Sequence, residues 1–176
     1  MNDLTQQAKE CFARYLGSFV QMHREGVLEQ YKQYEIPREM ELQWFQEMVT
    51  GYLQQLSIRD WEAVSALDAL SRQFQAPVIV ENTASFAARN LLSADSIVRL
   101  MYAESLVGII RSNKGVIPRD LLFSACRTTV QLLESVIAEP LVIDPGHELQ
   151  SLGLKDKRGL NSRAKKSIEE IEVLIN

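Results

Sequence analysis

The sequence predicts an all-α fold, a compact single-domain bundle of about six to eight helices with a partly detached helix at its C-terminus. Three observations predict it. Every long segment repeats apolar residues at three- and four-residue spacing. The 5 Pro and 8 Gly fall almost entirely between those segments, where they punctuate helices without interrupting them. The one β-like run, Val78-Ile79-Val80, is too short to build a sheet.

The first stripe joins Leu4, Ala8, Cys11, Phe12, Tyr15, Leu16, Phe19, Val20 and Met22, which predicts one amphipathic helix from Asn2 to His23. Asn2 or Asp3 suits its N-cap, and Gly26 suits a left-handed stop. Val27, Leu28 and Tyr31 predict one or two short turns before Ile36-Pro37 resets the chain. From Pro37 to Leu56, the residues Trp44, Phe45, Met48, Val49, Tyr52, Leu53 and Leu56 share one face. Ser57 and Asp60 then resemble a capping arrangement before a helix through Trp61, Val64, Leu67, Leu70 and Phe74.

Pro77 and the β-branched run after it predict an extended connector over Gln75 to Asn82, with Thr83 capping a small Ala-rich helix to Leu92. Between Ala94 and Arg111 the apolar residues surround the helix, as they do in a central one. Asn113-Lys114-Gly115 stops it. Pro118 opens a long helix with a wide apolar face from Leu121 to Ile137, ending before Pro140. Asp144-Pro145 is expected to cap a short helix through Leu149, which Gly153 closes. The last helix is expected to start at Asn161 or Ser162, with a narrow seam of Ala164, Ile168, Ile171 and Leu174 or Ile175. These boundaries divide the chain into a bundle over 1–154 and a basic linker with an amphipathic helix over 155–176.

With 176 residues, 46% hydrophobic and 24% charged, the composition is that of a folded globular chain. A formal net charge of -4 gives no global attraction for nucleic acid or anionic membrane. The polar N-terminus lacks a signal-peptide pattern and no stretch holds about 18 uninterrupted apolar residues, so a cytoplasmic location without a membrane span is expected. Cys11 and Cys126 both fall on apolar helix faces and are expected to be buried, slowly reacting thiols. Neither His23 nor His147 lies at metal-ligand spacing from a cysteine, and no metal or cofactor is expected.

Few residues offer chemistry. Glu104 falls near Ile97, Met101 and Gly108 on a helical wheel and is the one candidate for a buried carboxylate able to act as acid, base or ligand. The simpler reading is that Leu100, Glu104 and Arg111 mark the edge of the central helix that sees water. His23 fits a helix end, and His147, after Asp144-Pro145-Gly146, fits a turn. Leu67 to Phe86 loosely gives helix, break, helix, yet its second segment begins with the acid Glu81 and presents few groups to base edges.

Lys155, Lys157, Arg158, Arg163, Lys165 and Lys166 face a single acid, Asp156, within one stretch. Such a cluster can neutralise phosphates, although Glu169, Glu170 and Glu172 follow at spacings that favour intrahelical pairs. No phosphate-loop, dinucleotide, zinc-protease, di-iron or nucleophile-elbow motif occurs. The expected function is therefore a non-enzymatic interaction or regulatory protein that self-associates as a homodimer, its contact surface formed by the basic cluster and by Ile168, Ile171, Leu174 and Ile175. A nucleic-acid-associated subunit using the cluster over 155–166 stands second, and a helical enzyme centred on Glu104 third.

Overall fold

The computed structural model describes residues 2–176. Among them it holds nine α-helices and no strand: α1 (Asp3–Arg14), α2 (Phe19–Arg24), α3 (Leu28–Lys32), α4 (Arg38–Gln54), α5 (Glu62–Ser71), α6 (Pro77–Asn90), α7 (Ser96–Asn113), α8 (Arg119–Ala138) and α9 (Lys157–Ile175). The all-α class is as the periodicity predicts. α7 runs through the middle, touched by α5 and α6 from before it in the chain and by α8 and α9 from after it. Thirteen of its residues are buried, from Ser96 to Asn113, which explains why its apolar positions show no single stripe.

Four expectations change at the level of elements. The predicted first helix breaks in two, because Leu16 and Gly17 both adopt left-handed backbone, at φ 50 and 71. The Gly17 amide bonds back to the Phe12 carbonyl at 2.9 Å, and Ser18 caps α2 through the Gln21 amide. A Cβ on Gly17 would lie 2.3 Å from the Phe45 ring, so the tight turn and the close approach both require glycine. That approach seats Phe12 against Trp44 and Phe45, at ring-centroid distances of 5.5 and 4.9 Å.

The Val78-Ile79-Val80 run is helical, not extended. Pro77 takes the first turn of α6, where its missing N–H costs nothing. Ile79 and Val80 are fully buried, and that packing outweighs the modest helix penalty of β-branched residues. Further on, Asp144-Pro145 opens a turn and not a helix, and only a short 3-10 segment, Leu149–Leu152, follows. α9 starts earlier than expected because Asp156 caps it, accepting from the Gly159 amide at 3.0 Å.

α9 also lies on its own bundle, against α7 and α8. Leu160, Ala164 and Ile171 are fully buried and Leu174 nearly so. The seam is narrow because α9 covers the outside of two helices and needs only one apolar stripe to do so. Lys155 to Gly159, expected as a spacer, instead contributes the cap and first turn.

Three buried polar side chains tie α7 to loops along its length. Asp95 holds its N-terminal end, as described below. Near the middle, Tyr102 accepts from the Ser57 amide at 3.0 Å and donates to the Ser57 carbonyl at 2.8 Å, and burial pushes its hydroxyl up to about 12. At the far end Asn113 accepts from the Ala76 amide at 2.8 Å and donates to Ser71 and to the Ile109 carbonyl.

Candidate functional site

Two regions gather more chemistry than the rest of the surface. The first surrounds the start of α7. The Asp95 side chain, fully enclosed, is the N-cap: one oxygen accepts from the Val98 amide at 2.8 Å. The other accepts from the Asp144 amide at 2.9 Å and meets Nδ1 of His147 at 2.6 Å. Ser96 exchanges two bonds with Val142, through its own amide and its hydroxyl. Arg99, buried one turn on, donates to the Ala94 carbonyl and to Ser135 and pairs with Glu139. Trp61 packs against the imidazole in an edge-to-face pair, with ring centroids 5.3 Å apart.

The chain after α8 is thereby clasped to the positive end of the central helix, where a carboxylate is favoured. The arrangement resembles an Asp-His base, but the imidazole is engaged by Asp95 on one side and by the Arg59 main chain as well, and no hydroxyl bonds to it. Ligand atoms of Asp95, Asp144 and His147 come within 4.8 Å of one another. A cation there would compete with three donors already on the Asp95 carboxylate and with the helix dipole. The geometry suits a structural clasp, not a metal centre.

Hydrogen bonding to Asp95 is the main cause that raises the His147 pKa, aided by the charges of Asp95 and Asp144 and by the Arg59 main chain; burial opposes it. With the folded value raised, the stabilisation is complete below the unfolded value of about 6.5 and fades as pH rises through the folded one. Urea midpoints are therefore expected to be higher at about pH 6 than at roughly pH 9. Asp95→Asn should flatten that difference; an unchanged pH profile in the variant would show that His147 titrates independently of the clasp.

The second region is the outer side of α8. A groove of about 460 Å³ is lined by Phe123, Cys126, Arg127, Val130, Gln131 and Glu134 of this helix and by Ile175 from the end of α9. Arg119 lies over the Phe123 ring at 5.2 Å. Cys126 is buried beneath it and Cys11 is half-buried, and burial pushes both thiols up, which fits slow reaction.

The residues singled out from sequence are dispersed. Ile171 and Leu174 are core, Ile168 is half-buried, and Ile175 alone of the seam reaches the α8 groove. Glu104 is half-exposed and held by Arg163 through a paired contact, Nε to Oε2 at 2.9 Å. It lines an open groove of about 360 Å³ with Asp68, Arg72, Arg111 and Glu170. Leu100, placed with Glu104 on a wet edge, is fully buried, since α7 is enclosed further along than a free helix edge would be. Arg163 is thus drawn inward, and Lys157 donates to the Ile137 carbonyl at 2.7 Å. Lys155, Arg158, Lys165 and Lys166 remain exposed. Glu170 reaches across to Arg111 at 3.3 Å, away from the neighbouring lysines.

The clasp itself was not expected. Asp95-Ser96 ahead of the apolar run is a recognisable N-cap signal, but its tie to His147 spans 52 positions that no local pattern connects. Comparison with family models, curated proteins and solved structures returned no match.

Proposed function

We propose that this chain is a non-enzymatic, self-associating interaction protein whose contact surface is the outer side of α8 beside the end of α9. One observation carries the reading: half-buried Phe123 and Val130 of α8 and exposed Ile175 from the end of α9 line an open groove of about 460 Å³ that Arg127 and Glu134 flank. Apolar surface left on a helix within a folded bundle marks a contact site. Lipid is the poorer occupant, because Arg127 and Glu134 lie mid-helix, where each charge costs about 2.5–3.5 kcal/mol at a bilayer centre. The strongest acid–base groups, meanwhile, are bonded to one another, Asp95 to His147 and Glu104 to Arg163.

Sedimentation of the full chain should show species heavier than the monomer at tens of micromolar. The Phe123→Ser/Val130→Ser variant, checked for unchanged helicity, should shift the balance towards monomer by about tenfold or more in Kd. A wild-type chain that stays monomeric at hundreds of micromolar would remove self-association.

A second reading rests on the exposed Lys155, Arg158, Lys165 and Lys166, which make no ion pair among the described residues. Binding of generic RNA at low salt, lost steeply as salt rises, would favour phosphate contact by this patch.

A further inference from the structure

We infer that the occupant of the α8 face is a second copy of this chain, docked with its own α8 antiparallel about a two-fold axis between Val130 and Gln131. The inference rests on reading that face as an interaction surface and goes further by fixing partner, orientation and register.

Phe123, Arg127, Val130 and Glu134 follow one another at spacings of four, three and four, so they form a single stripe along α8. Phe123 and Val130 in it are half-buried, and exposed Ala138 continues it. Arg127 and Glu134 are exposed and have no ion-pair partner among the described residues. Seven residues, or about 10 Å of helix, separate them, too far for them to satisfy each other within one copy.

Two copies of this stripe satisfy both charges of each copy in one direction only. Placed antiparallel about the Val130–Gln131 axis, each Arg127 lies opposite the Glu134 of the other copy, and each Phe123 opposite the small Ala138. Placed parallel and in register, Arg127 would meet Arg127 and Glu134 would meet Glu134, which disfavours that arrangement. In the antiparallel pair like charges stay about 10 Å apart, near the screening length at physiological salt. The contact is isologous and closes at two chains. Ile175 adds an aliphatic wall to the groove from the end of α9.

The test is sedimentation velocity over a concentration series on the full-length chain, with Arg127→Glu, with Glu134→Arg, and with both changes together. Each single reversal turns two attractions per dimer into two repulsions and should raise Kd by about tenfold or more. The doubly changed chain should recover, and an equimolar mixture of the two single variants should form a heterodimer, which a merely misfolded variant cannot do. Single variants that dissociate without recovery in the mixture would overturn the antiparallel register. A wild-type dimer insensitive to all three changes would overturn this face while leaving self-association standing. A wild-type monomer throughout would overturn both.

Discussion

A chain ended after Leu154 is expected to unfold at a much lower urea concentration than the full chain, and to do so whether or not the protein dimerises. The truncation removes Leu160, Ile171 and Leu174, each at least nine-tenths buried, and full burial of such side chains contributes about 1.5–3 kcal/mol apiece. It also removes the Arg163 pair to Glu104, the Glu170 pair to Arg111 and the Lys157 bond to the Ile137 carbonyl, and leaves apolar faces of α7 and α8 bare. Ordering α9 costs conformational entropy that the shorter chain no longer spends, so the net loss is about 4–6 kcal/mol. Against a typical total of about 5–15 kcal/mol, that loss brings the remainder close to its unfolding midpoint. A truncated chain with the urea midpoint of the full one would mean that α9 does not cover the bundle in solution.

Asp95→Ala is expected to cost about 3–4 kcal/mol, unusually much for a single polar residue. Loss of the N-cap bond to Val98 contributes about 1–2 kcal/mol. The Asp144 amide and the His147 ring then lose their shared acceptor, and each such group left unpaired adds about 1 kcal/mol or more. Asp95→Asn keeps an acceptor for the helix and should lose about half as much. Urea midpoints of the two variants at one pH read the difference directly. A loss under about 1 kcal/mol for the alanine variant would show that the clasp is not what holds the chain after α8 in place.

Periodicity made the large elements legible, because α4, α5, α7 and α8 bury enough of one face, or of all faces, to leave a pattern. It failed where a local signal competed with a continuous stripe. Gly17-Ser18, a stop followed by a cap, is hidden inside the run from Leu4 to Met22. The reverse happened at Val78 to Val80, where β-branched residues suggested extension and burial made a helix. The C-terminal seam is legible as a stripe but leaves its partner open, since the spacing of Ala164, Ile168 and Ile171 is the same for a helix covering its own bundle as for one covering another chain.

The candidate sites were less legible still, because each is a junction between distant segments. Asp95 and His147, Glu104 and Arg163, and Phe123 and Ile175 each meet across a long separation in sequence. No window on one helix contains both members. The charge order of α8, by contrast, is local: Arg127 and Glu134 stand seven apart in the sequence itself, and only the knowledge that their face is uncovered was missing.

The three tethers on α7 have a kinetic consequence. Asp95 binds a loop that follows α8, whereas Tyr102 and Asn113 bind segments on either side of α5, so neither the early nor the late half of the chain can detach without baring a buried polar group on the central helix. Partial opening is penalised from both directions. Amide protons in the middle of α7 should consequently exchange with solvent only when the whole molecule unfolds, at a rate set by global stability, while those of α2 and α3 exchange through local fraying.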